Sequence, residues 1–261
     1  MSHPKDAWDP TQYEQFRAER EQPFWDLLAL VRARPGLRVI DLGCGTGALT
    51  RALHRRLGAR ETLGIDSSQA MLARAAELAE PGLRFERADI AEVASLLPWD
   101  LVFSNAALHW VPGHQGVLTR LTGLLADGGQ LAVQMPANDD QPSHRVATEL
   151  AAEPPFAAAL AQAGPPGRAT LLLPEQYAEL LERLGYREQH VRLQIYGHHL
   201  AARDQVVEWV RGTLLTDYQR RLPPELYALF LERYRARLLA RLPDRRPFFF
   251  TYRRLLLWAL R

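Results

Sequence analysis

Two acids and three alternate glycines are the residues of this chain whose types and spacing could do chemistry: Asp41-Leu42-Gly43-Cys44-Gly45-Thr46-Gly47, followed by Gly64-Ile65-Asp66. A short apolar run entering G-x-G-x-G reads as a buried strand turning abruptly into a helix, with glycines that permit positive φ and a close backbone approach to a ligand. Asp66 closes a second apolar run, Thr62 to Ile65, and a carboxylate there can accept both hydroxyls of a ribose. The dinucleotide fingerprint is G-x-G-x-x-G, with pyrophosphate resting on the helix N-terminus. Here the last interval is one residue shorter and an acid precedes the turn. Asp41 would repel a pyrophosphate, but it can organise the cationic amino-acid end of S-adenosylmethionine, directly or through water. The residues thus favour S-adenosylmethionine over NAD; the plain alternative is a glycine-rich turn that binds nothing.

Elements that could position these groups follow from the pattern of apolar residues. Short runs at Arg38 to Leu42, Thr62 to Ile65, Leu83 to Ala88, Leu101 to Ser104 and Gln130 to Met135 read as strands. Helical patterns lie between them near 47–57, 68–79 and 113–126. Such βαβ alternation predicts an α/β fold with a parallel sheet covered on both faces, and ligands at the carboxyl ends of its strands. Ahead of it, Thr11 to Arg34 carries Tyr13, Phe16, Phe24, Leu27, Leu28 and Val31 at helical spacing, with Pro23 expected to break the segment into two helices. Ala151 to Pro166, rich in alanine and proline, reads as a loop or helical excursion. Pro174 to Leu184 reads as a helix stopped by Gly185, and Arg187 to Ile195 as a strand. Residues 201–242 read as helices, one opened by Pro223-Pro224-Glu225, and Phe248 to Leu260 as a last strand. The resulting division is a helical lid over 1–35, a core over 36–200, a helical cap over 201–245 and a returning strand over 246–261.

At 261 residues and 47% hydrophobic composition, the chain can bury one large core with a small cap. A net charge of +2 makes no case for nucleic acid. Lys5 is the sole lysine, so the cations are arginines, suited to bidentate carboxylate contacts; a G- and C-rich genome is the bland source of the same bias. Cys44 is the sole cysteine, which excludes an intrachain disulfide and a cysteine-cluster metal site. Met1 to Pro10 is polar and no apolar run reaches spanning length. The expectation is a cytoplasmic protein, monomer or weak homodimer, with no metal, membrane or nucleic-acid partner.

The order D-L-G-C-G-T-G, then G-I-D-S-S-Q-A-M, then A-D-I at 88–90 and F-S-N-A-A-L-H-W at 103–110 resembles the class I S-adenosylmethionine-dependent methyltransferases. Within them, W-D-P-T-Q-Y-E-Q-F-R-A-E-R at 8–20, L-H-W-V-P-G-H at 108–114 and L-A-V-Q-M-P at 131–136 are similar to the trans-aconitate 2-methyltransferases. The resemblance implies a Rossmann-like fold: a mostly parallel seven-stranded sheet flanked by helices, an N-terminal helical lid, and a helical cap inserted before the last strand. It implies that Asp41, Gly43 and Gly47 line the methionine and ribose end of the cofactor, that Asp66 binds the ribose, and that Ser67 and Met71 flank the adenine. Asp89 and Ile90 would meet the adenine edge, and the backbone of Asn105 and Ala106 the methionine part. Tyr13 and Arg20 on the lid would shield the sulfonium and bind the methionine carboxylate. Plain readings stand beside these: helix packing for Phe16 and Met71, turn caps for Asp89 and Asn105.

The implied activity is methyl transfer to a carboxylate of a small polycarboxylic acid such as trans-aconitate. A carboxylate is already ionised near neutral pH and needs no general base, so alignment and exclusion of water would carry the reaction. Arginines should hold the other carboxylates and leave the reacting one less encumbered. Substrate-positioning candidates are His109, Trp110, Gln134, His144, Trp209, Arg211, Thr213, Tyr252 and Arg254. The phrase W-V-x-G-T is present at 209–213, but the usual Gly-Leu-Arg-Pro is replaced by Leu214-Leu215-Thr216-Asp217. That departure touches the acceptor more than methyl transfer. The same chemistry on another acid or hydroxyl, and a non-catalytic cofactor-binding module, are the competing readings.

Overall fold

The computed structural model describes residues 17–94, 98–167 and 169–261. Its strands are β1 (Arg38–Leu42), β2 (Glu61–Asp66), β3 (Leu83–Arg87), β4 (Trp99–Asn105), β5 (Leu125–Pro136), β6 (Glu188–Leu200) and β7 (Phe248–Leu260). They form one seven-stranded sheet in the order β3-β2-β1-β4-β5-β7-β6. The pairs from β3 to β5 are parallel and β7 lies antiparallel to β5. The order reverses between β1 and β4, the switch point at which open α/β sheets leave a crevice for ligands.

The helices are α1 (Arg17–Leu28), α2 (Ala48–Leu57), α3 (Gln69–Ala75), α4 (His114–Gly123), α5 (Pro142–Ala151), α6 (Phe156–Gln162), α7 (Pro174–Arg183), α8 (Gln205–Arg211), α9 (Leu214–Arg221) and α10 (Pro224–Arg241). Helix α1 runs through Pro23 without a break, contrary to the two-helix expectation. Proline removes one N–H, and the burial of Phe24, Leu27 and Leu28 just beyond it outweighs that loss. Strand β5 starts earlier than its sequence pattern, at Leu125, because the Gly128-Gly129 segment interrupts the ladder without ending it. Trp99 pairs with Leu125 and Leu101 with Gln130, so the intervening residues bulge. Helix α4 therefore stops at Gly123 and not at 126.

Packing divides the chain into two compact units. One comprises Arg20–Pro136, Arg168–Gln194 and Arg254–Arg261; the other comprises Ala137–Gly167 and Ile195–Arg253. Residues 137–167, placed with the core in the sequence division, thus pack with the segment holding α8, α9 and α10. The first unit buries Phe24, Leu27, Leu53 and Leu57 of α1 and α2 against Val39, Leu101, Phe103, Ala132, Leu256 and Trp258 of the sheet. The second has its own core around Phe156, Trp209, Phe230, Tyr234 and Tyr252. No described helix is long and apolar enough to cross a membrane.

Candidate functional site

Cross-strand partners in a sheet share a face, so the register converts separate sequence positions into one row. Val39 pairs with Leu101 and Asp41 with Phe103; Phe103 pairs with Ala132 and Asn105 with Gln134. Ala132 pairs with Trp258, Gln134 with Leu256 and Pro136 with Arg254. On β2, Gly64 pairs with Asp41 and Asp66 lies two residues further on the same face. The middle of the face packed against α1 and α2 is therefore apolar, and the change comes at the carboxyl ends of its parallel strands. There it turns polar, reading Asp66, Asp41, Asn105, Gln134, Arg254 across β2, β1, β4, β5 and β7. The charges grade from two acids through two neutral amides to a cation.

The acidic end is built by the glycine turn. Gly43 has φ 78°, and a Cβ there would come within 2.2 Å of the Cβ of Ala107, so only glycine lets β1 turn under the loop that follows β4. Gly45 has φ 56° with nothing within 4 Å of its absent Cβ, leaving open space above the turn. Its N–H donates to Asp66 Oδ2 at 2.9 Å, and Ser68 N–H donates to Asp66 Oδ1 at 2.8 Å. Asp41 is buried and accepts from Thr50 Oγ1 at 2.6 Å. Its carboxyl is pushed up to about 7, chiefly by burial, with the Thr50 hydrogen bond opposing and the charge of Asp66 adding to the rise. A cation held beside Asp41 would reverse that cost. Burial also pushes the Cys44 thiol far above its ordinary range, so it is not a nucleophile at neutral pH.

The amide end is differently made. Gln134 is 1% exposed, yet neither its Nε2 nor its Oε1 has a hydrogen-bond partner, and the buried Oδ1 of Asn105 beside it has none either. Ala106 is the one non-glycine with positive φ among the described residues, at 54°. Its N–H donates to the Gln134 carbonyl at 2.9 Å, which fixes the strained turn at the mouth of β4. His109 and Trp110 follow on a one-turn 3-10 helix with rings 4.9 Å apart, and the His109 carbonyl accepts from Ala169 N–H at 2.8 Å. Arg254 is buried.

The remaining expected residues divide by unit. Ser67 is exposed, and its carbonyl accepts from Arg87 Nε at 3.2 Å. Met71 is buried near the start of α3, its N–H donating to the Ser68 hydroxyl cap at 3.2 Å. Asp89 is exposed and accepts from Ala91 N–H at 2.8 Å, the local turn that its residue type favours; Ile90 lies 3.6 Å from the position of a Cβ on Gly43. Arg20 lies on α1, and Tyr13 lies outside the described residues. In the other unit, Trp209 is a core side chain set edge-on to Phe250. Arg211 pairs with Glu208 at 3.5 Å, and the Thr213 hydroxyl donates to the Val210 carbonyl at 3.4 Å. His144 and Tyr252 are buried with rings 6.4 Å apart.

Two contributors escaped the sequence reading. Thr50 had a readable signal, a hydroxyl one turn into the helix after the glycines. Ala107 had none, because its role depends on how closely β4 follows β1. Among the described residues no cluster of histidine, cysteine or acid could hold a metal ion.

Comparison with known proteins bears on this site. Residues 33–182 match the family model of a methyltransferase domain. The chain is 42% identical over 259 residues to a trans-aconitate 2-methyltransferase of Deinococcus radiodurans, covering 98% of each. It is 45% identical to a trans-aconitate 2-methyltransferase of Methylobacterium nodulans over 88% of each. Among solved structures, the YcgJ protein of Bacillus subtilis superposes with a TM-score of 0.60 at 12% identity, covering 92% of this chain and 98% of that one; this likeness is one of fold.

Proposed function

The chain belongs to the methyltransferase domain family, and from that premise we propose that it methylates a carboxylate of a small polycarboxylic acid, trans-aconitate. S-adenosylmethionine is the donor; a methyl ester and S-adenosylhomocysteine are the products. The observation that carries this reading is the graded polar row. Its acids suit a cationic donor at β1 and β2, and its amides and arginine suit an anionic acceptor at β4, β5 and β7. The names of the full-length relatives support the choice of acid.

The residues present fit the donor. Asp66 is oriented by two backbone N–H groups, and a carboxylate at this strand end is the acceptor type that a ribose diol needs. The open space over Gly45 admits a ligand against bare backbone. Asp41 is a buried acid that a cation would stabilise. When bound, S-adenosylmethionine supplies a methyl group on a positive sulfonium whose thioether departs neutral. The chain has only to hold the two reactants in line and dry, a contribution that can be large without any acid or base. An ionised carboxylate and a neutral leaving group call for no metal. In this reading the acceptor is a free small anion, and the protein works as a monomer or weak homodimer in the cytoplasm.

One observation favours the same chemistry on a different acid. Asp217, in the segment that departs from the phrase of the resembled family, is buried and accepts from Gly167 N–H at 3.0 Å and Arg221 at 3.2 Å. The test is incubation with methyl-labelled S-adenosylmethionine and a panel of di- and tricarboxylic acids. Base-labile label on trans-aconitate is the expected result; label on another acid selects the second reading. Label on none of them refutes both.

A further inference from the structure

Three buried amide atoms lie at the mouth of β4 and β5 without partners: Asn105 Oδ1, Gln134 Oε1 and Gln134 Nε2. The two residues are directly opposed in register, within reach of one another's side chains. A buried polar group left unpaired is costly, and native structures rarely leave several together unless something else completes them. Two of the atoms accept and one donates, so whatever completes this place must do more than fill space.

The neighbours decide the direction. On the β1 side stand Asp41 and Asp66; on the β7 side stands Arg254. We propose that Asn105 and Gln134 form a head-to-tail amide pair that seats the acceptor's reacting carboxylate. With both reactants bound, Asn105 Nδ2 donates to Gln134 Oε1, which leaves Asn105 Oδ1 facing the cationic donor on the β1 side and Gln134 Nε2 donating to the carboxylate. Every orphaned atom is then used once, and both amide dipoles point along the charge gradient. The chemical gain is specific. A neutral N–H orients a carboxylate oxygen without drawing off its electron density as an ion pair would, so the attacking oxygen stays nucleophilic. Gln134 is thus a positioning residue for the acceptor and leaves donor binding to the acids of β1 and β2. This inference rests on the methyl-transfer reading given above.

Calorimetry of trans-aconitate and the acid panel on protein loaded with S-adenosylhomocysteine tests the seat apart from turnover, alongside label-transfer kinetics. For Gln134→Leu, S-adenosylhomocysteine affinity should stay within about threefold of the parent, while the Kd and KM of the acid rise at least tenfold. Gln134→Glu, the same shape with a negative charge, should raise both about a hundredfold, and neutral Gln134→Met should resemble the leucine variant. If Gln134→Leu binds the acid as the parent does, or loses S-adenosylhomocysteine instead, the seat is overturned while the methyl-transfer reading stands. If the parent binds a panel acid in a Gln134-dependent way yet methylates none, the seat stands and the reading fails. Failure of both neutral variants to fold would also overturn the proposal, since they remove no hydrogen bond that the fold uses.

Discussion

Gln130 and Gln134 lie four residues apart on β5, face the same side of the sheet and are equally buried, at 2% and 1% exposure. Their fates are opposite. Gln130 Oε1 accepts from Arg32 N–H at 2.8 Å and Trp258 Nε1 at 2.9 Å, and its Nε2 donates to the Arg32 carbonyl at 2.9 Å. Gln134 satisfies neither end. The first amide stitches the chain after α1 to the sheet and belongs to the fold. The second sits where the strands end and, as proposed, belongs to what binds there. The same contrast divides the polar row: Asp66 and Asp41 are held by Gly45, Ser68 and Thr50, whereas the amides of β4 and β5 are not. In the proposed reading, the donor end is finished by the protein itself, and the acceptor end is left for the substrate to finish.

The largest expected effect is on the finished end. Asp66→Ala removes the acceptor of two backbone N–H groups together with the proposed ribose ligand, and should weaken S-adenosylmethionine by about 3–4 kcal/mol, roughly two to three orders of magnitude. Calorimetry reads this directly. Retained affinity would mean that the acids are structural and that the two ends do not differ in kind. Next is Gln130→Leu, which orphans Arg32 N–H, the Arg32 carbonyl and Trp258 Nε1 at once. A loss of about 2–4 kcal/mol in denaturant stability is expected, since leaving buried partners unpaired costs about 1–3 kcal/mol each and water reaches some of them.

Sequence patterns carried the donor end because its logic is local. Asp41, the glycines and Asp66 sit at fixed offsets on consecutive strands, and β1, β2 and β7 begin and end within a residue of their apolar runs. The acceptor end is a product of register. Nothing in L-A-V-Q-M-P tells Gln134 from Gln130 until Asn105 is placed opposite one and Trp258 beside the other. Bulges hid the same region, since the looped residues before Gln130 masked where β5 begins. Pro23 misled for a related reason: its cost is local, while the burial that overrides it comes from Phe103 and Trp258, far along the chain.

A smaller effect separates the ends by pH. The Asp41 carboxyl, raised from 3.8 to about 7, is neutral in the ligand-free fold over a range in which it is ionised when unfolded. Without ligand it therefore makes the fold less stable as pH rises from about 4 to about 7, and no further above that. A cationic donor favours the ionised form, so binding below pH 7 must release a proton. S-adenosylmethionine affinity should then fall by up to about tenfold per unit as pH drops below about 7, as one linked proton requires. Calorimetry in buffers of different ionisation enthalpy would detect the proton. Thr50→Val, which removes the hydrogen bond that opposes the rise, should move the onset to higher pH. An affinity flat from pH 6 to 8 would place the cation elsewhere.

The smallest effect is the most diagnostic of the comparison. Gln134→Leu removes two unpartnered buried polar atoms and substitutes a side chain of similar volume, so the ligand-free protein should become more stable by about 1 kcal/mol, or about 2–4 °C in Tm for a chain of this size. The same change at Gln130 goes the other way, although type, strand, face and burial are matched. A gain at 134 that disappears when S-adenosylhomocysteine and the acid are both bound would show that the missing partners of this amide are the reactants. A loss at 134 equal to that at 130 would mean that the fold, and not the acceptor, holds it.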